Sequence, residues 1–106
     1  MIIKIKDFIS GVTAASYNDG KKCLDVILKS TDTENVTLDF DGVEYAIAAF
    51  LNPVINDLIL AKGDNVMNNI LIDNANRPIR DKINLIKNGT LIKREDLNKE
   101  LITCHH

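Results

Sequence analysis

One stretch constrains the chain more than any other. It runs Val36-Thr37-Leu38-Asp39-Phe40-Asp41-Gly42-Val43-Glu44-Tyr45-Ala46-Ile47-Ala48-Ala49-Phe50-Leu51-Asn52-Pro53. Val36, Leu38 and Phe40 alternate with Thr37, Asp39 and Asp41, the two-residue period of a strand with one buried face. Gly42 permits a sharp exit. A helix with almost no charge follows, starting between Ala48 and Asn52 and running to Lys62. Asn52-Pro53 is a strong start signal, a side-chain cap followed by a residue whose missing N–H is not needed there. A start a few residues earlier keeps Pro53 near the first turn. Gly63 ends the helix.

The flanking segments extend the alternation of strand and helix. Ile3 and Ile5, with Phe8 beyond them, interleave with Lys4 and Lys6 as a first strand. Gly11 breaks it. A helix is expected from about Thr13 to Lys29, with Tyr17, Leu24, Ile27 and Leu28 turned inward. Gly20 inside it costs about 1 kcal/mol relative to alanine. Either something approaches closely there, or the helix starts near Asp19. A short strand is expected over Asn69 to Asp73. A helix opened by Pro78 follows, carrying Ile79, Ile83 and Ile86 inward and closed by Asn88-Gly89. A last short helix near Glu95 to Ile102 pairs Leu97 with Leu101. The order is β-α-β-α-β-α-α, an α/β fold with a helix-covered sheet. The abundant asparagines, Asn74 and Asn76 among them, read as loop and cap chemistry.

With 106 residues the chain is expected to form a single domain over 1–104. His105-His106 resemble the start of a purification tag and are set aside. Net charge is −2 and the cations are scattered, which argues against nucleic-acid binding. Aromatics are 5%, so the core must be aliphatic. No uninterrupted apolar run reaches a membrane-spanning length, and the N-terminus alternates instead of forming a signal peptide. Cys23 and Cys104 share no motif. A cytoplasmic protein with reduced thiols is the simplest expectation, with Cys23 a small buried hydrophobe.

Asp39, Asp41 and Glu44 gather carboxylates near a strand end, where a Mg²⁺ site is conceivable. The simpler reading has Asp39 facing out and Asp41 stabilising the turn before Gly42. There is no phosphate loop, and no nucleophile with a base beside it, so neither an enzyme nor a cofactor is expected. The helix from Ala48 to Ala61 has Asp57 as its only charge. Ile47, Leu51, Val54, Ile55, Leu58 and Ile59 fill a core stripe, leaving Ala48, Ala49, Phe50, Leu60 and Ala61 over. Phe50 is therefore either ordinary core or a partner anchor, whose truncation would cost about 2 kcal/mol or more in binding.

Several of these pieces, in order, resemble the STAS-like family, small domains related to anti-sigma-factor antagonists. The likeness spans about Tyr17 to Asn88 and is densest at Asp19-Gly20-Lys21-Lys22, Val36 to Val43, and Phe50-Leu51-Asn52. It implies a mixed β-sheet of about four strands covered by helices, with the first strand antiparallel. It also implies a regulator that acts by touching another protein: a histidine-kinase-like ATPase, an anti-sigma factor, or a defence or toxin component. The docking residues it implies are Asp41, Gly42, Glu44, Tyr45, Ala48, Ala49, Phe50, Asn52 and Pro53. Two positions depart from the family pattern. Ala48-Ala49 stand where a serine pair precedes the phenylalanine, one of which is phosphorylated in the anti-sigma antagonists. Asn56 stands where glycine is common. A different class of function is also compatible: a small inhibitor or antitoxin, from a mobile element, binding through another face. An exposed apolar helix could equally pair with its own copy. Nucleotide binding or catalysis is the third class, and no recognisable residue spacing supports it.

Overall fold

The structure, a computed structural model, describes residues 1–31 and 34–103, with side chains described as far as residue 92. His105-His106 and Cys104 lie outside the described residues. Strands β1 (Ile2–Lys4), β3 (Val36–Asp39) and β5 (Ile70–Asp73) form a sheet in the order β1-β3-β5, and every pairing is parallel. A second pair joins β2 (Thr13–Ala14) to β4 (Tyr45–Ala46), also parallel. The expected mixed sheet with an antiparallel first strand is thus corrected. The helix between β1 and β3 carries the chain back to its starting end, so the second strand must run parallel to the first. The coarse class holds: a parallel sheet with packed helices, consistent with a STAS-like α/β fold.

Helix α1 (Tyr17–Ser30) begins where Ser16 accepts the Asp19 N–H at 3.3 Å. Leu24 and Ile27 are buried as expected, and so are Gly20 and Cys23. Tyr17, expected inward, lies at the first turn and is exposed. Burial holds the Cys23 thiol up at a pKa of about 12, so it behaves as an apolar side chain. Ile5, expected in the first strand, instead starts a 3₁₀ turn over Ile5–Phe8 and is still fully buried.

The second helical stretch has three parts: α2 (Ala48–Leu51), a π-wound turn (Asn52–Asp57) and α3 (Leu58–Lys62), ended by Gly63 at φ +99°. Pro53 does not start this helix. It falls inside it, has no N–H to offer the Ala49 carbonyl, and its ring crowds that carbonyl. The widened winding lies over these residues. Leu51, Val54, Ile55, Leu58 and Ile59 are fully enclosed.

Helix α4 (Arg77–Thr103) is one continuous helix, where the sequence suggests a break at Asn88-Gly89 and a separate helix after it. Gly89 does not take the positive φ of a helix-ending glycine. Its neighbours Ile86 and Thr90 are held against the second helical stretch, and that packing overrides the weak local stop. Asn76 caps α4 by accepting the Ile79 N–H at 3.0 Å.

Candidate functional site

The bend after β3 is built by Asp39 rather than Asp41. The Asp39 carboxylate accepts the Asp41 N–H at 2.9 Å and the Asn74 side-chain N–H at 2.9 Å. Chiefly through the Asn74 bond, and next through the Asp41 N–H, its pKa is held below the ordinary 3.8. Val43 N–H closes a turn onto the Phe40 carbonyl at 2.9 Å, with Gly42 at φ +79° in the position that favours glycine. This corrects the assignment of the turn to Asp41. The adjoining open cavity, about 380 Å³, is lined by Lys4, Lys6, Asp7, Asp39, Asp41 and Gly42. Among the described residues, no three metal-capable side chains converge there or elsewhere.

The residues that follow the bend are aimed by two ties to α4. Asn76 donates its side-chain N–H to the Glu44 carbonyl at 2.9 Å, and Lys82 Nζ donates to the Ala46 carbonyl at 3.2 Å. From the other side, the Val12 carbonyl accepts the N–H groups of Glu44 and Tyr45. Asp41, Gly42, Glu44, Tyr45, Ala48, Ala49 and Asn52 are all exposed, and Tyr45 keeps 63% of its surface. Phe50 and Pro53 are not exposed. Phe50 is fully enclosed and Pro53 is buried, both against α1. The idea of Phe50 as a partner anchor is therefore overturned: it is part of the enclosed core.

Gly20 is what lets α1 come so near. A Cβ built there would lie 2.4 Å from the Phe50 carbonyl oxygen and 2.6 Å from the Pro53 ring. No real Cβ tolerates such contacts. The close approach considered for Gly20 is present, against the Phe50 backbone and the Pro53 ring.

An apolar anchor of a different kind faces solvent beside Ala48. Leu85, on α4, is 73% exposed. With Ala48, Lys82 and Ile86 it lines a mainly apolar groove of about 340 Å³. The groove continues past Asn52, Asn56 and Gly89 to Thr90. Asn56 is built in rather than approached: its side-chain oxygen lies 2.7 Å from the Thr90 hydroxyl, which is itself 2.8 Å from the Ile86 carbonyl. The sequence marks Ile86 only as part of an inward stripe and gives Leu85 and Lys82 no role. The available signal was Leu85 lying off the inward stripe of Ile79, Ile83 and Ile86.

These features belong to a known lineage. The profile of the STAS-like domain of unknown function (DUF4325) matches residues 19–80, more than half of the chain. The chain is a member of the STAS-like family. Searches of curated proteins and of solved structures return no significant match. The matched span of this STAS-like domain contains Gly20, the Asp39–Val43 bend and the α2 face, and ends within the first turns of α4. Leu85, Ile86 and Thr90, the far wall of the groove, fall outside it. Among the described residues, no helix is long and apolar enough to cross a membrane.

Proposed function

We propose that this STAS-like domain is a non-enzymatic regulatory module that docks another protein in the groove between α2 and α4. The observation that carries the reading is the apolar groove in which exposed Ala48 faces exposed Leu85, with Tyr45, Ile47 and Ala49 exposed on the segment that leads into it. Such patches on small domains mark contact surfaces. Tyr45 is of the type that carries interface energy when enclosed, and Leu85 offers a large apolar side chain to bury. The polar bend at Asp41 to Glu44 supplies a rim.

Kinship with anti-sigma-factor antagonists suggests a histidine-kinase-like ATPase or anti-sigma factor as the partner. Ala48 and Ala49 have no hydroxyl, so phosphorylation cannot add charge at these positions. Docking is then constitutive, set by protein amount.

The test is titration calorimetry against ATPase or anti-sigma candidates encoded beside this gene. Wild type binds one of them, and Ala48→Asp and Leu85→Asp each weaken binding at least tenfold by setting a carboxylate in the apolar groove. Leu71→Asp, on the sheet, leaves that binding intact. Equal binding by wild type and both groove variants removes the groove from the interface.

A further inference from the structure

Among the described residues, the three-stranded sheet is covered on one face only. Ile3, Val36, Leu38 and Ile70 are buried beneath the helices. The strand register places the remaining side chains in two rows on the opposite face: Ile2, Thr37 and Leu71, then Lys4, Asp39 and Asp73. Ile2 is 66% exposed and Leu71 60%. Parallel sheets occur almost only with both faces covered, so a bare face carrying two large aliphatic side chains is out of keeping with an isolated domain.

We propose that a second copy of this chain covers this face, with the two sheets stacked about a twofold axis running along the strands. The charge pattern selects this occupant. An axis in that direction keeps the height along the strands and exchanges the edges, so β1 of one copy lies over β5 of the other. Ile2 then stacks on Leu71 of the second copy, and Lys4 faces Asp73 of the second copy. Symmetry makes each contact twice. Thr37 meets its equivalent at the centre. Asp39 also meets its equivalent, and that pair is the unfavourable element. It is tempered because each Asp39 carboxylate already accepts two N–H bonds and has Lys4 beside it on the neighbouring strand. The face is three short strands wide and falls below the roughly 800 Å² per partner of a standard interface, so the dimer forms with rising concentration rather than permanently. This surface is distinct from the α2–α4 groove, and the two proposals stand or fall separately.

Sedimentation velocity decides it, in a Cys104→Ser background to exclude adventitious disulfides. Wild type shifts from monomer to dimer as its concentration rises, as befits an interface below the standard size. Leu71→Asp stays monomeric with an unchanged thermal melt. Lys4→Asp alone and Asp73→Lys alone each weaken association at least tenfold, and the two together restore it. Should Asp73→Lys disturb folding, Ile2→Cys with Leu71→Cys gives the answer by oxidation. The two positions lie on strands separated by β3, about 9–10 Å apart, too far for a bond within one copy, so a disulfide there must link two copies. A wild type that is monomeric throughout, a dimer indifferent to Leu71→Asp, or a double-cysteine chain that never cross-links overturns the proposal.

Discussion

The second helical stretch presents two faces built from opposite materials. Toward α1 it is tightly closed: the Phe50 backbone and the buried Pro53 ring meet a glycine on the facing helix, and Phe50, Leu51 and Val54 are fully enclosed in the core. Toward α4 it is small and polar: Ala48, Asn52 and Asn56 leave a groove that Leu85 overlooks but does not fill. One face is a closed seam and the other is left open. Composition alone cannot distinguish the two, since the whole stretch is nearly uncharged. What decides is the neighbour, Gly20 on one side and a row headed by Leu85 and Thr90 on the other.

The seam is the place to break the fold. Phe50→Ala should cost about 3–5 kcal/mol, the usual penalty for emptying a buried phenylalanine site. Urea unfolding of the purified variant measures it, and a loss under 1 kcal/mol would mean that Phe50 is not enclosed as described. Gly20→Ala is the sharper probe because two effects oppose each other. Alanine favours the helix by about 1 kcal/mol, while overpacking costs about 1–3 kcal/mol or somewhat more. The nearest atom is a backbone carbonyl that cannot rotate away, so the steric side wins and the net loss is about 2 kcal/mol. A neutral or stabilised Gly20→Ala would show that the seam can open.

Much of the seam and little of the groove were legible in the sequence. Val36, Leu38 and Phe40 announce their strand because the period of two is local. Gly20 advertises a close contact because a glycine inside a helix needs a reason. What it touches is invisible in sequence, because Phe50 and Pro53 lie thirty residues on. That is why the sequence leaves Phe50 open between core and partner anchor. Strand direction is within reach: the helix expected between the first two strands already favours a parallel pairing, and the antiparallel first strand comes only from the family resemblance. Asn88-Gly89 misled in the other direction, as a local stop signal outweighed by the packing of Ile86 and Thr90. Of the proposed docking face, Tyr45, Ala48, Ala49 and Asn52 are exposed as expected, but its opposite wall on α4 comes from tertiary placement alone.

The groove should respond more gently than the seam. Thr90→Val keeps the shape and removes the hydroxyl that meets Asn56 and the Ile86 carbonyl, for a loss of about 1 kcal/mol in urea unfolding. Leu85→Ser should change stability by no more than about 0.5 kcal/mol, since most of Leu85 already faces water. A Leu85→Ser variant destabilised as much as Gly20→Ala would mean that the groove is closed in solution and that the two faces of the helix do not differ.

The smallest effect lies at the bend that leads into both faces, and it depends on pH. The Asp39 carboxylate has its pKa lowered, mainly by the Asn74 side-chain bond, so the folded state favours the charged form more than the unfolded chain does. The sign follows from linkage: that contribution is complete above the unfolded value near 4 and disappears as pH falls through the lower folded value. Asn74 sits at φ +56°, a conformation glycine adopts freely, so Asn74→Gly removes the donor without straining the backbone. Between pH 5 and pH 3 the urea midpoint of wild type should therefore fall more steeply than that of Asn74→Gly, with the gap between them narrowing toward the acid end. Parallel curves would mean that Asn74 does not hold the carboxylate, and that the bend is kept in place by the Phe40–Val43 turn and the ties of the following segment to Val12 and α4.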